Sequence, residues 1–191
     1  MICKESLEMR MFREEMRKHL MVAGLAFSAL AGCKRQQATT PTPPDKTPVV
    51  AGEIGSRMPD FTLKDLDGHE ISTSNLRSNV VLIDLWATWC KPCEKEMPGY
   101  QRLADRYRSR GFIVIGLKVD IMTDLQDPRA FARKIGVHYP LAVATDDLKA
   151  RLGGVDGLPT AMIYDRRGFL RAKIIGFERE DVIEATVKPL L

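Results

Sequence analysis

Val80-Val81-Leu82-Ile83-Asp84-Leu85-Trp86-Ala87-Thr88-Trp89-Cys90-Lys91-Pro92-Cys93 is an apolar run that ends in two cysteines separated by two residues. Its first part, Val80 to Leu85, is rich in Val, Ile and Leu and predicts a central strand buried on both faces. Pro92 then suits the first turn of a following helix, where a missing N–H costs nothing. Cys90 therefore falls at a helix N-terminus. Unsatisfied backbone N–H groups and the positive end of the dipole favour a thiolate there, which makes the cysteine a nucleophile near neutral pH. Cys93 lies within reach to close a disulfide.

A Cys-x-x-Cys pair is also half of a zinc site, but no second pair follows and no His-x-x-x-His motif is present. The other two cysteines, Cys3 and Cys33, both fall in a stretch with the character of a targeting segment. A chain of 191 residues with 45% hydrophobic content accommodates one ordinary domain plus accessory segments, and needs no framework of disulfides to bury a core. The formal net charge of +4 is too small to argue for nucleic acid as a partner.

The chain resembles the thioredoxin superfamily and, within its AhpC/TSA–redoxin-like branch, the membrane-tethered TlpA/ResA-like thiol–disulfide oxidoreductases. The resemblance covers roughly Gly55 to Leu191. It rests on Met58-Pro59-Asp60-Phe61, Asp65-Leu66-Asp67-Gly68, the run from Trp86 through Cys90-Lys91-Pro92-Cys93 to Glu96-Met97-Pro98, Gly157-Leu158-Pro159-Thr160 and Asp165-Arg166-Arg167-Gly168. It implies an α/β thioredoxin fold, a central mixed sheet flanked by helices, with an N-terminal β-hairpin and a central helix and strand insertion.

Upstream, Met16-Arg17-Lys18-His19 is a short basic start and Leu20 to Gly32 is an apolar run of signal-peptide length, too short to span a bilayer comfortably. It ends Leu30-Ala31-Gly32-Cys33, which resembles the bacterial lipoprotein signal, with Cys33 as the lipidated residue. We therefore expect a signal peptide over residues 1–32, with Met16 as the true start, and a lipid-anchored, periplasm-facing location in the cell envelope. Residues 33–54 hold Pro41, Pro43, Pro44 and Pro48 among polar residues and read as a semi-extended linker. The folded domain is expected over residues 55–191.

Within that domain, Phe61-Thr62-Leu63 and Glu70-Ile71-Ser72 flank Asp67-Gly68 as a hairpin. Ser74 to Arg77 reads as one helical turn. A helix is expected from about Cys93 to Arg110, kinked at Pro98 and closed by Gly111. Phe112 to Leu117 is the next strand, parallel to the first because a helix makes the crossover. Asp127 and Asp146 are read as caps of two short helices ending at Gly136 and Gly153, with a strand over Leu141 to Ala144 between them. Strands at Ala161 to Tyr164 and Leu170 to Ile175, and a helix from about Arg179 to Val187, complete the domain.

Asp84 interrupts the apolar run, so it would be buried, with its pKa raised by desolvation. It matches the buried aspartate of thioredoxins, able to take the proton of Cys93, although some TlpA/ResA-like proteins place the acid elsewhere. The resemblance also implies a cis Leu158–Pro159 bond facing the cysteines. Trp89, Lys91, Pro92, Leu158 and Pro159 are then the expected substrate-contacting residues. Lys91 is expected to lower the Cys90 pKa if its charge reaches the sulfur. Glu94 and Glu96 read as complements of the helix dipole, and His69 and His138 as surface residues without ligand partners.

The expected activity is reduction of envelope protein disulfides by Cys90 attack and Cys93 resolution, with no cofactor and no metal. The resemblance implies a membrane thiol protein as electron donor and, among substrates, the haem-site cysteines of apocytochrome c. Two alternatives use the same fold. A peroxide-reducing protein needs a Thr-x-x-Cys setting, whereas Thr88 lies two residues from Cys90, and a Cu(I) chaperone usually spaces its cysteines by three and adds a histidine.

Overall fold

The computed structural model describes residues 52–119 and 126–191. The expected signal peptide, Cys33 and all of the linker before Gly52 lie outside the described residues. Gly52, placed by sequence at the end of the linker, already runs so close to the backbone of Leu152 and Gly153 that no side chain would fit, and it adopts φ +79°.

β3 (Val80–Trp86) is buried along its whole length and extends one residue past the expected end, because Trp86 also pairs in the sheet, with Lys118. β4 (Phe112–Val119) lies parallel to it, and β5 (Leu141–Ala144) lies parallel to β4. β6 (Thr160–Tyr164) and β7 (Leu170–Ile175) complete an antiparallel half, giving the order β5-β4-β3-β6-β7. β1 (Thr62–Lys64) and β2 (Glu70–Ser72) form the expected hairpin.

Alternation along β3 divides the core. Val80, Leu82 and Trp86 face one side, packed by Met97, Tyr100 and Leu103 of α2 (Lys91–Tyr107), Phe131 of α3 (Pro128–Ile135) and Ile183 of α5 (Glu180–Val187). Val81, Ile83 and Leu85 face the other, packed by Phe61, Leu76 of α1 (Thr73–Leu76) and Leu148 of α4 (Asp146–Arg151). Burial of each such side chain is worth roughly 1.5–3 kcal/mol, so the central strand is fixed from both faces. The Trp86 and Phe131 rings stack with centroids 5.4 Å apart.

Three helix starts differ from expectation. α2 begins at Lys91, with Cys90 itself as N-cap, so Pro92 sits in the first turn and Pro98 lies inside the helix. α1 is capped by Ser72, which accepts the Ser74 N–H at 3.3 Å. α4 is capped by Thr145 rather than Asp146: the threonine hydroxyl accepts the Leu148 N–H at 3.2 Å, and Asp146 becomes the first helical residue, where its carboxylate pairs with Lys149. α2 gives way to a 3-10 turn over Arg108–Arg110 that ends at Gly111, in the left-handed conformation with φ 73°.

The two edges of the sheet are treated differently. At β5, Asp65 bridges to Ala142 and the Leu66 N–H donates to the Leu141 carbonyl at 2.7 Å, so the hairpin loop covers that edge. At β7, Arg171 pairs with Asp165 at 2.5 Å and Lys173 with Asp156 at 2.8 Å. Among the described residues, no helix is long and apolar enough to cross a membrane.

Candidate active site

β3 delivers the chain through Ala87, Thr88 and Trp89 to Cys90, where the turn is closed by the Cys90 N–H on the Ala87 carbonyl at 3.1 Å. Cys90 and Cys93 are joined as a disulfide, their Cα atoms 5.3 Å apart. Cys90 Sγ accepts the Cys93 N–H at 3.2 Å as the helix cap. The same N–H and the helix dipole would hold negative charge on Cys90 Sγ once the bond is reduced. Cys90 keeps 3% of its surface and Cys93 none, so only Cys90 is open to attack by or on another molecule. Trp89, beside it, is 48% exposed.

The Leu158–Pro159 bond is cis. Thr160 pairs with Leu85, which puts Pro159 one step beyond, at the same end of the sheet as the cysteine loop. Leu158 stands outside that ladder, and the Pro159 carbonyl is taken by the Gly176 N–H at 2.8 Å.

Two buried carboxylates stand on the elements that hold the cysteines, Asp84 on β3 and Glu96 on α2, three residues after Cys93. Asp84 is wholly buried; its Oδ2 accepts the Tyr139 hydroxyl at 3.4 Å and its Oδ1 has no partner. Burial pushes its carboxyl well above the usual range, and repulsion from Glu96 adds to the rise. Glu96, 4% exposed, accepts the Glu178 N–H on Oε2 at 3.3 Å and leaves Oε1 without a partner. Burial raises its pKa to about 7. Tyr100 and Tyr139 are kept protonated by burial and by the field of these acids.

Glu96, Tyr100 and Tyr139 were not anticipated as site residues. The signal for Glu96 was present: Cys93, Met97, Tyr100 and Tyr107 form a helical stripe, and Glu96 falls within it, three residues after Cys93. Reading Glu96 as a dipole complement is therefore corrected by its burial. Glu94, in contrast, is a surface acid: it accepts Lys91 at 3.0 Å and Lys134 at 3.2 Å, which together lower its pKa.

Lys91 itself is 79% exposed along its side chain and directed to Glu94, so its charge is shared with that carboxylate instead of being aimed at Cys90. Pro92 occupies the first turn beside it. A cavity of about 590 Å³ lined by Thr88, Trp89, Lys91, Glu94, Phe131 and Lys134 opens next to the cysteine loop. His69 is not isolated, as its sequence context implied: its Nδ1 lies 3.2 Å from Asp65 Oδ2, and Asp67 stands close by. Asp65 Oδ1 accepts the N–H groups of Asp67 and His69, so these three residues serve the hairpin turn, and we assign no metal to them. His138 is exposed, its N–H bonded to Gln101 at 2.7 Å.

Comparison with known proteins adds independent weight. The AhpC/TSA family profile matches residues 54–173. The thiol-disulfide oxidoreductase ResA of Bacillus thuringiensis (strain Al Hakam) is 33% identical over 138 residues, covering 72% of this chain and 79% of ResA. ResA of Geobacillus kaustophilus is 34% identical over 146 residues, covering 75% and 83%. Among solved structures, a thiol:disulfide interchange protein of the thioredoxin family from Chlorobium tepidum TLS is similar with a TM-score of 0.64 at 26% identity, covering 73% of this chain and 99% of that one.

Proposed function

From the premise that the chain belongs to the AhpC/TSA family and is a thiol–disulfide oxidoreductase of thioredoxin-like fold, homologous to ResA, we propose that Cys90 attacks and Cys93 resolves, with Asp84 and Glu96 as the proton acceptors. The observation that carries this reading is the placement of the solvent-touched cysteine of the pair at the cap of α2, with two buried acids on the strand and helix that hold the pair.

In the reduced enzyme the Cys90 thiolate attacks one sulfur of a substrate disulfide. A Cys90–substrate disulfide forms, the substrate S–S bond breaks, and the departing thiolate takes a proton. Cys93 gives its proton to the carboxylate pair and attacks Cys90 Sγ. That releases the second substrate thiol and leaves the Cys90–Cys93 disulfide. Two electrons pass from the dithiol to the substrate, and a thiol donor must return them. Trp89 and the 590 Å³ cavity adjoin the cysteine loop. The Leu158 peptide, outside the β3–β6 ladder and at the same end of the sheet, is left to pair with an extended substrate segment next to Pro159.

The setting we propose is the bacterial cell envelope, on its periplasmic side, with the domain tethered by lipid on Cys33 and recharged by a membrane thiol protein. Its substrates are oxidised envelope proteins, including the haem-site cysteines of apocytochrome c. Trapping tests the assignment of roles. A Cys93→Ser chain should accumulate mixed disulfides through Cys90, and a Cys90→Ser chain should accumulate none. The reverse pattern would exchange the two roles.

A further inference from the structure

At the end of the sheet away from Cys90, where β3 and β4 begin and β6 ends, the fold gathers arginines. Arg57, Arg77, Arg166 and Arg167 line one cavity of about 340 Å³, and all four are exposed. The two carboxylates in its wall are already committed. Asp165 is held by Arg171 and by the N–H groups of Arg167 and Phe169, and Asp60 lies 3.8 Å from Arg77. Among the described residues, no carboxylate lies in ion-pair range of Arg57 or Arg167.

These cations are nevertheless held in place. The Arg57 and Arg167 guanidiniums lie 4.8 and 5.1 Å from the centre of the Phe169 ring. Arg166 donates to the carbonyls of Ser78 and Arg110 at 2.9 Å and to an oxygen of Leu191 at 3.2 Å. Asp60 offsets Arg77, but Arg57 and Arg167 stand together without a carboxylate partner among the described residues, and the planar guanidinium fork suits phosphate oxygens. Much of the ordering cost of the side chains is already met by these internal contacts.

The position of the chain's entry points to the source of that phosphate. The Gly55 N–H donates to the Leu170 carbonyl and the Met58 N–H to the Gly168 carbonyl, each at 2.8 Å, so the chain joins the sheet at this same end. The seven residues of β3 put roughly 20 Å between it and the cysteine loop. We propose that this arginine-lined end docks on the phosphodiester head groups of an anionic bilayer, leaving the Cys90–Cys93 end turned toward the aqueous side. The biological setting rests on the envelope reading above, but the attraction itself needs no lipid on Cys33.

The test uses the chain carrying Cys33→Ser and vesicles of phosphatidylcholine, with or without one-third phosphatidylglycerol. The readout is the excess of binding to anionic over neutral vesicles, which cancels any apolar attachment by residues outside the domain. The excess should fall as salt is raised, and Arg57→Gln with Arg167→Gln should lower it by about 25-fold, roughly fivefold for each arginine near a charged surface. Lys149→Gln should leave it unchanged, and insulin disulfide reduction should be unaltered in all variants. An excess that the double substitution does not lower would overturn the proposal. So would arginine-dependent binding of soluble polyglutamate without vesicle binding, which would point to an acidic protein, or of inorganic phosphate alone, which would point to a free anion. Whether the chain with Cys33 intact acquires lipid is read separately by mass spectrometry, so failure of the tether leaves the vesicle comparison standing.

Discussion

Replacing Glu96 by Gln removes one buried acid while nearly preserving its shape. In the folded chain burial raises this carboxyl from 4.5 to about 7, a rise that corresponds to about 3 kcal/mol. Between those two values the unfolded chain releases the Glu96 proton and the folded chain keeps it. The unfolded state then binds fewer protons, so stability falls as pH rises. The contribution is complete below about pH 4.5 and gone above about pH 7. Urea unfolding of the oxidised protein measures it with both cysteines silent. From about pH 4.5 to about pH 8 the parent should lose about 3 kcal/mol more than Glu96→Gln. A buried amide lacking a partner shifts the variant by a nearly constant amount, which cancels in the comparison across pH. Asp84 remains in both proteins, and because the Glu96 charge adds to the rise of its pKa, the variant also loses less stability at Asp84, which widens the difference in the same direction. Parallel pH curves would show that Glu96 does not hold its proton and would remove it from the proposed acceptor pair.

Asp84→Asn should leave the Cys90 attack largely intact and slow release of the mixed disulfide, by about 10²-fold or more if the aspartate is the main acceptor. Stopped-flow resolution of the two steps decides it, and equal slowing of both, or of neither, would reduce Asp84 to a tolerated buried acid. Lys91→Gln should move the reduction potential by less than about 20 mV, because an exposed charge already shared with Glu94 has little left for the sulfur. A larger change, read by glutathione equilibration, would show that Lys91 acts on Cys90 directly.

The sheet's centre was legible because a run such as Val80 to Leu85 has few other places to go, and a proline two residues after Cys90 marks a helix start. Leu158-Pro159 was legible only through resemblance, since nothing local in those residues brings them beside Cys90. Three features escaped for different reasons. Glu96 was visible in the helical phase, but an acid near a helix start has an easy reading as a dipole complement, which here fits only Glu94. Tyr139 reaches Asp84 across 55 positions of chain, a contact that only the packing of α2 and α3 on the sheet creates. Thr145 and Asp146 are both capping residue types side by side, and which one turns back to the helix is decided by backbone geometry.

The contrast between the two sheet edges bears on self-association. A protein that handles chains with open disulfides meets partly unfolded polypeptide, whose exposed backbone can add to an unpaired strand and propagate into aggregates. Here the β5 side is closed by the loop through Asp65 and Leu66. The β7 side carries Arg171 and Lys173, pinned by Asp165 and Asp156, and burying those charges against a like strand would be costly. Extended polypeptide is thereby discouraged from both sheet margins, which leaves the segment proposed above to receive it, around Leu158, without a competing edge.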